Sequence, residues 1–211
     1  TGKGSDNCRC DIETHGKDTK MMTEIYKRKL GGIERMRVNF PNISVVMCAR
    51  IHGNVTARDV RLAVCRVRRR HPLLGARIEF DADGYGYFRT HNVPENSVAV
   101  RPVHSETAWM EVVRDELKKR WNVLQGPLAR FTLLHSPAAS DLVVCAHHSI
   151  CDGRSLAYLL SDILGLIADP DQKVSRVDPV PLDEAVPGKA RGGALYRWMV
   201  KRMNAKWLEK G

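Results

Sequence analysis

Residues 141–148, DLVVCAHH, are apolar on both alternating sets of side chains until two histidines close the run. A strand of that kind has no face to offer to water, so it must lie inside a sheet that is covered on both sides. The preceding stretch GPLARFTLLHS, residues 126–136, reads as a second strand, and the Ser136 to Ser140 segment supplies the turn between the two. After the histidines, Leu156, Leu159, Leu160, Ile163, Leu164 and Ile167 recur at helical spacing. An amphipathic helix is therefore expected to begin near Gly153 and to stop before Pro170. Strand, tight loop and helix in succession hold the histidines at the end of a stiff element.

The rest of the chain supplies partners for that strand. Ile43 to Gly53, rich in β-branched residues and stopped by a glycine, reads as a buried strand. Thr56 and Asp59 form an acidic variant of the capping box, and Val60, Ala63, Val64 and Val67 then share one helical face. The dense basic run RVRRRH, Arg66 to His71, is assigned to the other sides of that helix as a solvated face. HPLLGARIEF ends the helix at a proline and opens a strand, and DADG turns it into YGYFRT as a hairpin. A short strand follows at Val98 to Val103, and Trp109, Val112, Val113, Leu117 and Trp121 space out a helix that begins near Glu106. With order beginning near Lys29, the class is α/β or α+β: a mixed sheet with helices packed on it.

The 211 residues suffice for one domain. Residues 1–22, polar and without period, are read as a disordered leader. The proline-rich stretch 171–190 is read as a linker, and 191–211 as a basic helix with Leu195, Trp198, Met199 and Trp207 available for burial. Cys8, Cys10 and His15 match no zinc spacing, so no metal is expected. The net charge of +10 suggests nucleic acid, but RVRRRH lacks the interleaved aromatic residues of a stacking surface, and nucleic acid is set aside. An acidic protein or a phosphate-bearing small molecule would use the same field. The longest apolar stretches are broken by charges such as Asp162, which excludes a membrane span. With no secretory pattern at the start, the six cysteines are expected reduced, without a disulfide, in the cytoplasm.

An imidazole with a pKa near 6.5 can take a proton from a hydroxyl or amine as it attacks a carbonyl. Other readings of the motif compete with this one. Adjacent residues of a strand point to opposite faces, and no third ligand lies at helical spacing, which argues against a metal pair. His147 is preferred as a satisfied core histidine. Asp152 reads equally as a loop brace or as the N-cap of the following helix, and Gly153 as a position whose backbone, or whose neighbour, forbids a side chain. A serine hydrolase is poorly supported, since no G-x-S-x-G elbow occurs and GRSL departs from it.

His147, His148, Asp152 and Gly153 reproduce the HHxxxDG pattern of the chloramphenicol acetyltransferase-like superfamily. That superfamily includes the condensation domains of nonribosomal peptide synthesis, polyketide-associated acyltransferases and alcohol acyltransferases. RRRHPLLGARIE resembles its RHP-L-R segment and GPLARFTLL its GPL-R strand, in the same order, from about residue 30 to residue 170. The resemblance implies an acyltransferase of the HHxxxDG type in which His148 is the general base and Asp152 a structural carboxylate that pairs with an arginine. It implies no permanently bound cofactor. The donor would be an acyl-CoA or an acyl-phosphopantetheine on an acyl or peptidyl carrier protein, and the acceptor a hydroxyl or amine. Family modules have two similar halves around a cleft, and this chain is similar to the N-terminal half only. A homodimer or a separate C-terminal half is therefore expected to supply the other wall. The alternative is a non-catalytic half-domain that binds a carrier protein or a complementary half.

Overall fold

The computed structural model describes residues 26–40 and 42–181. The leader expected over 1–22, the Cys8, Cys10 and His15 group and the helix expected over 191–211 lie outside the described residues. In chain order the elements are β1 (Lys27–Lys29), α1 (Gly32–Val38), β2 (Ser44–His52), α2 (Ala57–Arg70), β3 (Arg77–Phe80), β4 (Gly86–Arg89), β5 (Val98–Pro102), α3 (Ala108–Lys118), β6 (Ala129–His135), β7 (Ala139–His147) and α4 (Gly153–Ala168). A 3₁₀ turn at Pro72–Gly75 joins α2 to β3.

β7 lies inside a four-stranded sheet of order β2-β7-β6-β5, antiparallel to both its neighbours, while β5 and β6 run parallel. The mixed sheet is as expected. Its alternating side chains are divided between two layers. Leu142, Val144 and Ala146 pack with Val60 and Val64 of α2 and with Leu156, Leu160 and Ile163 of α4. On the opposite face Val143 meets Ala108 and Val112 of α3, and Cys145 joins Ile78 and Phe88 of a smaller antiparallel sheet, β1-β4-β3. Burial on both faces explains why the strand lacks the apolar-polar alternation of a half-exposed sheet.

Local chemistry sets the ends of these elements. Thr56 accepts from the Asp59 N–H at 3.2 Å and donates its own N–H to the Asp59 carboxylate at 2.9 Å, closing the box that starts α2. α3 stops at Lys118, so Trp121 sits beyond the helix in which it was expected and is free to turn toward the end of β7. β1 and α1 were not legible in the sequence. α1 begins where the Gly31 N–H donates to Glu34 Oε2 at 2.7 Å, and Arg28 grips both oxygens of the same carboxylate at 2.9 and 2.7 Å.

Two expectations are corrected. The RVRRRH run is not a solvated face, because α2 lies against α4 and its last turn is covered. Arg70 Nε and His71 Nε2 both reach Asp162 Oδ2 of α4, at 2.9 and 2.6 Å, and Arg68 donates to the Pro94 carbonyl at 3.2 Å. The start of the 171–190 segment, read as a linker, lies back against α2. It carries no helix or strand through residue 181, but Arg70 donates to the Ser175 carbonyl at 3.0 Å and the Val177 N–H to the Arg70 carbonyl at 2.8 Å. Cys48, Cys145 and Cys151 are free thiols as expected. Cys65, half-buried on α2, is disulfide-bonded, where no disulfide was expected. No helix among the described residues is long and apolar enough to cross a membrane.

The glycine of the GPL stretch has a strict backbone reason. Gly126 adopts φ of 66°, and a Cβ there would lie 2.5 Å from the Ala76 carbonyl oxygen. Gly126→Ala is expected to lower unfolding free energy by about 1–3 kcal/mol, from left-handed strain and this backbone clash, in urea denaturation.

Candidate active site

β7 delivers the two histidines to different surroundings. His147, the last residue of the strand, is fully buried, whereas His148, the first residue past it, is half-buried. The backbone holds both in place. The His147 N–H donates to the Leu128 carbonyl at 2.9 Å, the His148 N–H to the Ile43 carbonyl at 3.0 Å, and the Ile150 N–H closes a turn onto the His147 carbonyl at 3.0 Å.

The rings are fixed in opposite tautomers. His148 Nδ1 lies 2.7 Å from the Cys151 carbonyl oxygen, which can only accept, so Nδ1 carries the proton and the Nε2 lone pair is left open. His147 Nδ1 accepts from the Ser149 N–H at 3.2 Å and lies 2.7 Å from the Ser149 hydroxyl, so its proton resides on Nε2. That buried Nε2 has no hydrogen-bond partner of good geometry. Burial pulls the His147 pKa down to about 4; the nearby Phe40 carbonyl opposes this, and the charges of His148 and Arg130 reinforce it. His147 is therefore neutral at physiological pH.

Behind the pair stands a layered polar brace. The Trp121 ring meets the His147 ring edge-on, with centroids 5.8 Å apart at 88°, and its Nε1 donates to Ser44 Oγ at 2.9 Å. Ser44 and His147 are register partners on β2 and β7, so the indole clasps the end of that pair. Arg130 stacks on the indole, 3.6 Å from its centroid, and its Nε donates to Glu116 Oε2 at 2.6 Å. Burial alone would raise the Glu116 pKa, but hydrogen bonds from Lys119 and Arg130 outweigh it and hold the carboxyl below its usual range.

The loop to α4 carries the remaining motif residues. Asp152 caps α4, its Oδ1 accepting from the Ser155 N–H at 2.8 Å and from the Ser155 hydroxyl at 2.7 Å, and these two bonds hold its pKa below the ordinary value. Arg37 of α1 donates to the His148 carbonyl at 2.9 Å. Burial pushes the Cys151 thiol up to about 12 and the Cys48 thiol up to about 11, so neither is a thiolate at neutral pH.

No family model matches the chain. Among curated proteins it is 29% identical over 133 residues to nonribosomal peptide synthetase 5 of Gibberella zeae, a match covering 62% of this chain and 1% of that protein. Among solved structures it resembles the starter condensation domain of the rhizomide synthetase RzmA, with a TM-score of 0.62 at 17% identity over 88% of this chain and 48% of that one. The fold is that of part of a condensation domain. The condensation domain from the monacolin K polyketide synthase MokA gives a TM-score of 0.60 at 15% identity, over 88% of this chain and 41% of that one. The chain thus has a chloramphenicol acetyltransferase-like fold and spans less than half the length of the condensation domains it resembles.

Within this condensation-domain fold, His147, His148, Asp152 and Gly153 all come to the β7–α4 junction, but not all as anticipated. His147 is in the core, as the sequence analysis preferred, but it is not fully satisfied there, since its Nε2 is left without a partner. Asp152 is an N-cap whose Oδ1 accepts both Ser155 bonds, and the arginine partner that the resemblance implied is not found in an ion pair among the described residues. Gly153 does not require glycine for backbone or packing reasons. Its φ is not positive and a Cβ there would meet nothing within 4 Å. Sequence reasoning did not find Ser149, Ser44, Arg130 or Arg37, each of which acts through a contact formed by the fold. Only Ser149, two residues from His147, could have been suspected from its position.

Two measurements follow. Asp152→Ala is expected to cost about 1 kcal/mol through loss of the cap, and Gly153→Ala to leave the urea midpoint nearly unchanged or slightly raised. His147 has a folded pKa near 4, below its ordinary 6.5, so burial of the neutral ring stabilises the fold fully above 6.5 and that contribution is lost as pH falls toward 4. Denaturation across this window should show a His147-linked loss of up to about 3 kcal/mol, and NMR titration should place the His147 transition below that of a free histidine.

Proposed function

We infer that this chain is an acyltransferase, or the catalytic portion of one, which moves an acyl group from a coenzyme A or carrier-protein thioester to a hydroxyl or amine, with His148 as general base. The observation that carries this reading is the tautomer of His148, whose Nδ1 is committed to the Cys151 carbonyl while Nε2 keeps an open lone pair on a half-buried ring. Nε2 takes the proton of the acceptor as its oxygen or nitrogen attacks the thioester carbonyl. The tetrahedral adduct expels the thiolate, which recovers the proton from the imidazolium, so no acyl-enzyme forms. Such proton transfer contributes roughly a hundred- to ten-thousand-fold, and the rest comes from holding donor and acceptor in register.

His147 serves as packing and Asp152 as the cap that fixes where α4 starts. The donor class is supported by a further relative, a variant of the rhizomide starter condensation domain solved in complex with C8-CoA, with a TM-score of 0.56 at 18% identity over 69% of this chain and 36% of that one. Because the described residues span less than half of such domains, the facing wall is supplied from outside them, by a second copy or by a further stretch of polypeptide.

That same shortfall favours the second reading, a half-domain that binds a carrier protein or a complementary half without turnover. Incubation with a panel of acyl-CoA donors and simple alcohols or amines separates the two by thiol release. Release above the no-acceptor control that disappears in His148→Ala, with an unchanged melting curve, is the expected result. Equal release from His148→Ala would remove that residue from the chemistry.

A further inference from the structure

We propose that Arg37 is a positioning residue for His148, acting through the main chain of the motif turn and not through the Asp152 carboxylate. The turn needs such a brace. At His148 the chain leaves the sheet, and its N–H makes a last bond to the Ile43 carbonyl at 3.0 Å. Arg37 Nη1 donates to that carbonyl at 2.9 Å, in a part-buried setting and from an element more than a hundred residues earlier in the chain. Hydrogen bonds from charged donors to carbonyls are among the stronger ones in proteins.

The ring of the same residue depends on the same short loop. His148 Nδ1 bonds the carbonyl of Cys151, three residues on, so the imidazole plane is fixed only while the peptides of 148–151 keep their orientation. Asp152 serves the head of α4 instead, where its Oδ1 accepts from the Ser155 N–H and hydroxyl. Arg37 thus ties α1 to the motif loop and leaves Nε2 as the one hydrogen-bonding group of His148 still free to meet a substrate.

As a statement about catalysis this rests on His148 being the base; as a statement about geometry it does not, and the test separates the two. In the full chain labelled with 15N-histidine, long-range proton–nitrogen spectra report the tautomer of each ring and the solvent exchange of its N–H. Wild type is expected to show His148 in the Nδ1–H form. Arg37→Met keeps the aliphatic stem and removes the donor. It should mix the tautomers of His148 and speed exchange of its ring proton roughly ten-fold or more, with His71 and His147 unmoved, and Arg37→Lys should restore much of the wild-type spectrum. Should Arg37→Met not fold, Arg37→Gln, which keeps a shorter donor, is read in the same way. An unchanged His148 signal, or equal loosening of every histidine, overturns the proposal. If the chain transfers acyl groups, Arg37→Met should also lower kcat with KM held and regain activity on addition of guanidinium. If it transfers none, the spectra alone decide.

Discussion

Burial of both faces of β7 is the constraint on which the other layers depend. Once that strand is inside the sheet, α2 and α4 must cover one side, and α3 with the small sheet must cover the other. Its polar residues then have to be neutralised where they stand. At one end Asp141 is held by Arg50, its register partner on β2, through two bonds of 2.8 and 3.0 Å. At the other end His147 gives up its charge and takes its hydrogen bonds from Ser149. A buried carboxylate met by an arginine at the surface and a buried neutral ring are two solutions to the same desolvation cost, and only the second leaves an uncharged platform under its neighbour His148.

Several arginines are spent inside the fold. Arg28 on Glu34, Arg130 between Glu116 and Trp121, and Arg70 on Asp162 each join two elements that hydrophobic contact alone would leave free to slide. Such part-buried pairs fix geometry more than they add net stability. That is the quality a catalytic turn needs from its surroundings.

What the sequence made legible was periodic or local. The two-faced run of β7, the capping box of α2, the apolar stripe of α4 and the 81–84 turn each carry their signal within a few residues, and each appears close to where it was read. The paired histidines were legible for the same reason, since their spacing to Asp152 and Gly153 is local. The misreadings arose where long-range packing decides. β1 is three residues long and stands only because β4 pairs with it, and RVRRRH looked solvated because nothing in the run reveals that α4 will bring Asp162 to its end. Gly153 looked obligatory by position, yet the backbone shows no reason that glycine alone could meet. The contact of Arg37 with the site was hidden because it belongs to no repeat and no motif, and that of Trp121 because its spacing read as part of the α3 stripe.

The parallel pairing of β5 with β6 has a consequence for how the molecule assembles. β6 and β7 are joined by a tight turn and can zip together quickly, but β5 must wait for α3 to cross over before it can lie alongside β6. β2 reaches β7 only across an intervening loop on the order of a hundred residues. With so many distant contacts, collapse around the β6–β7 hairpin should run ahead of sheet completion, in the slow range of small-domain folding. The histidine turn would then be among the last parts to acquire its shape, since Ile43 and Arg37 reach it only after β2 has docked.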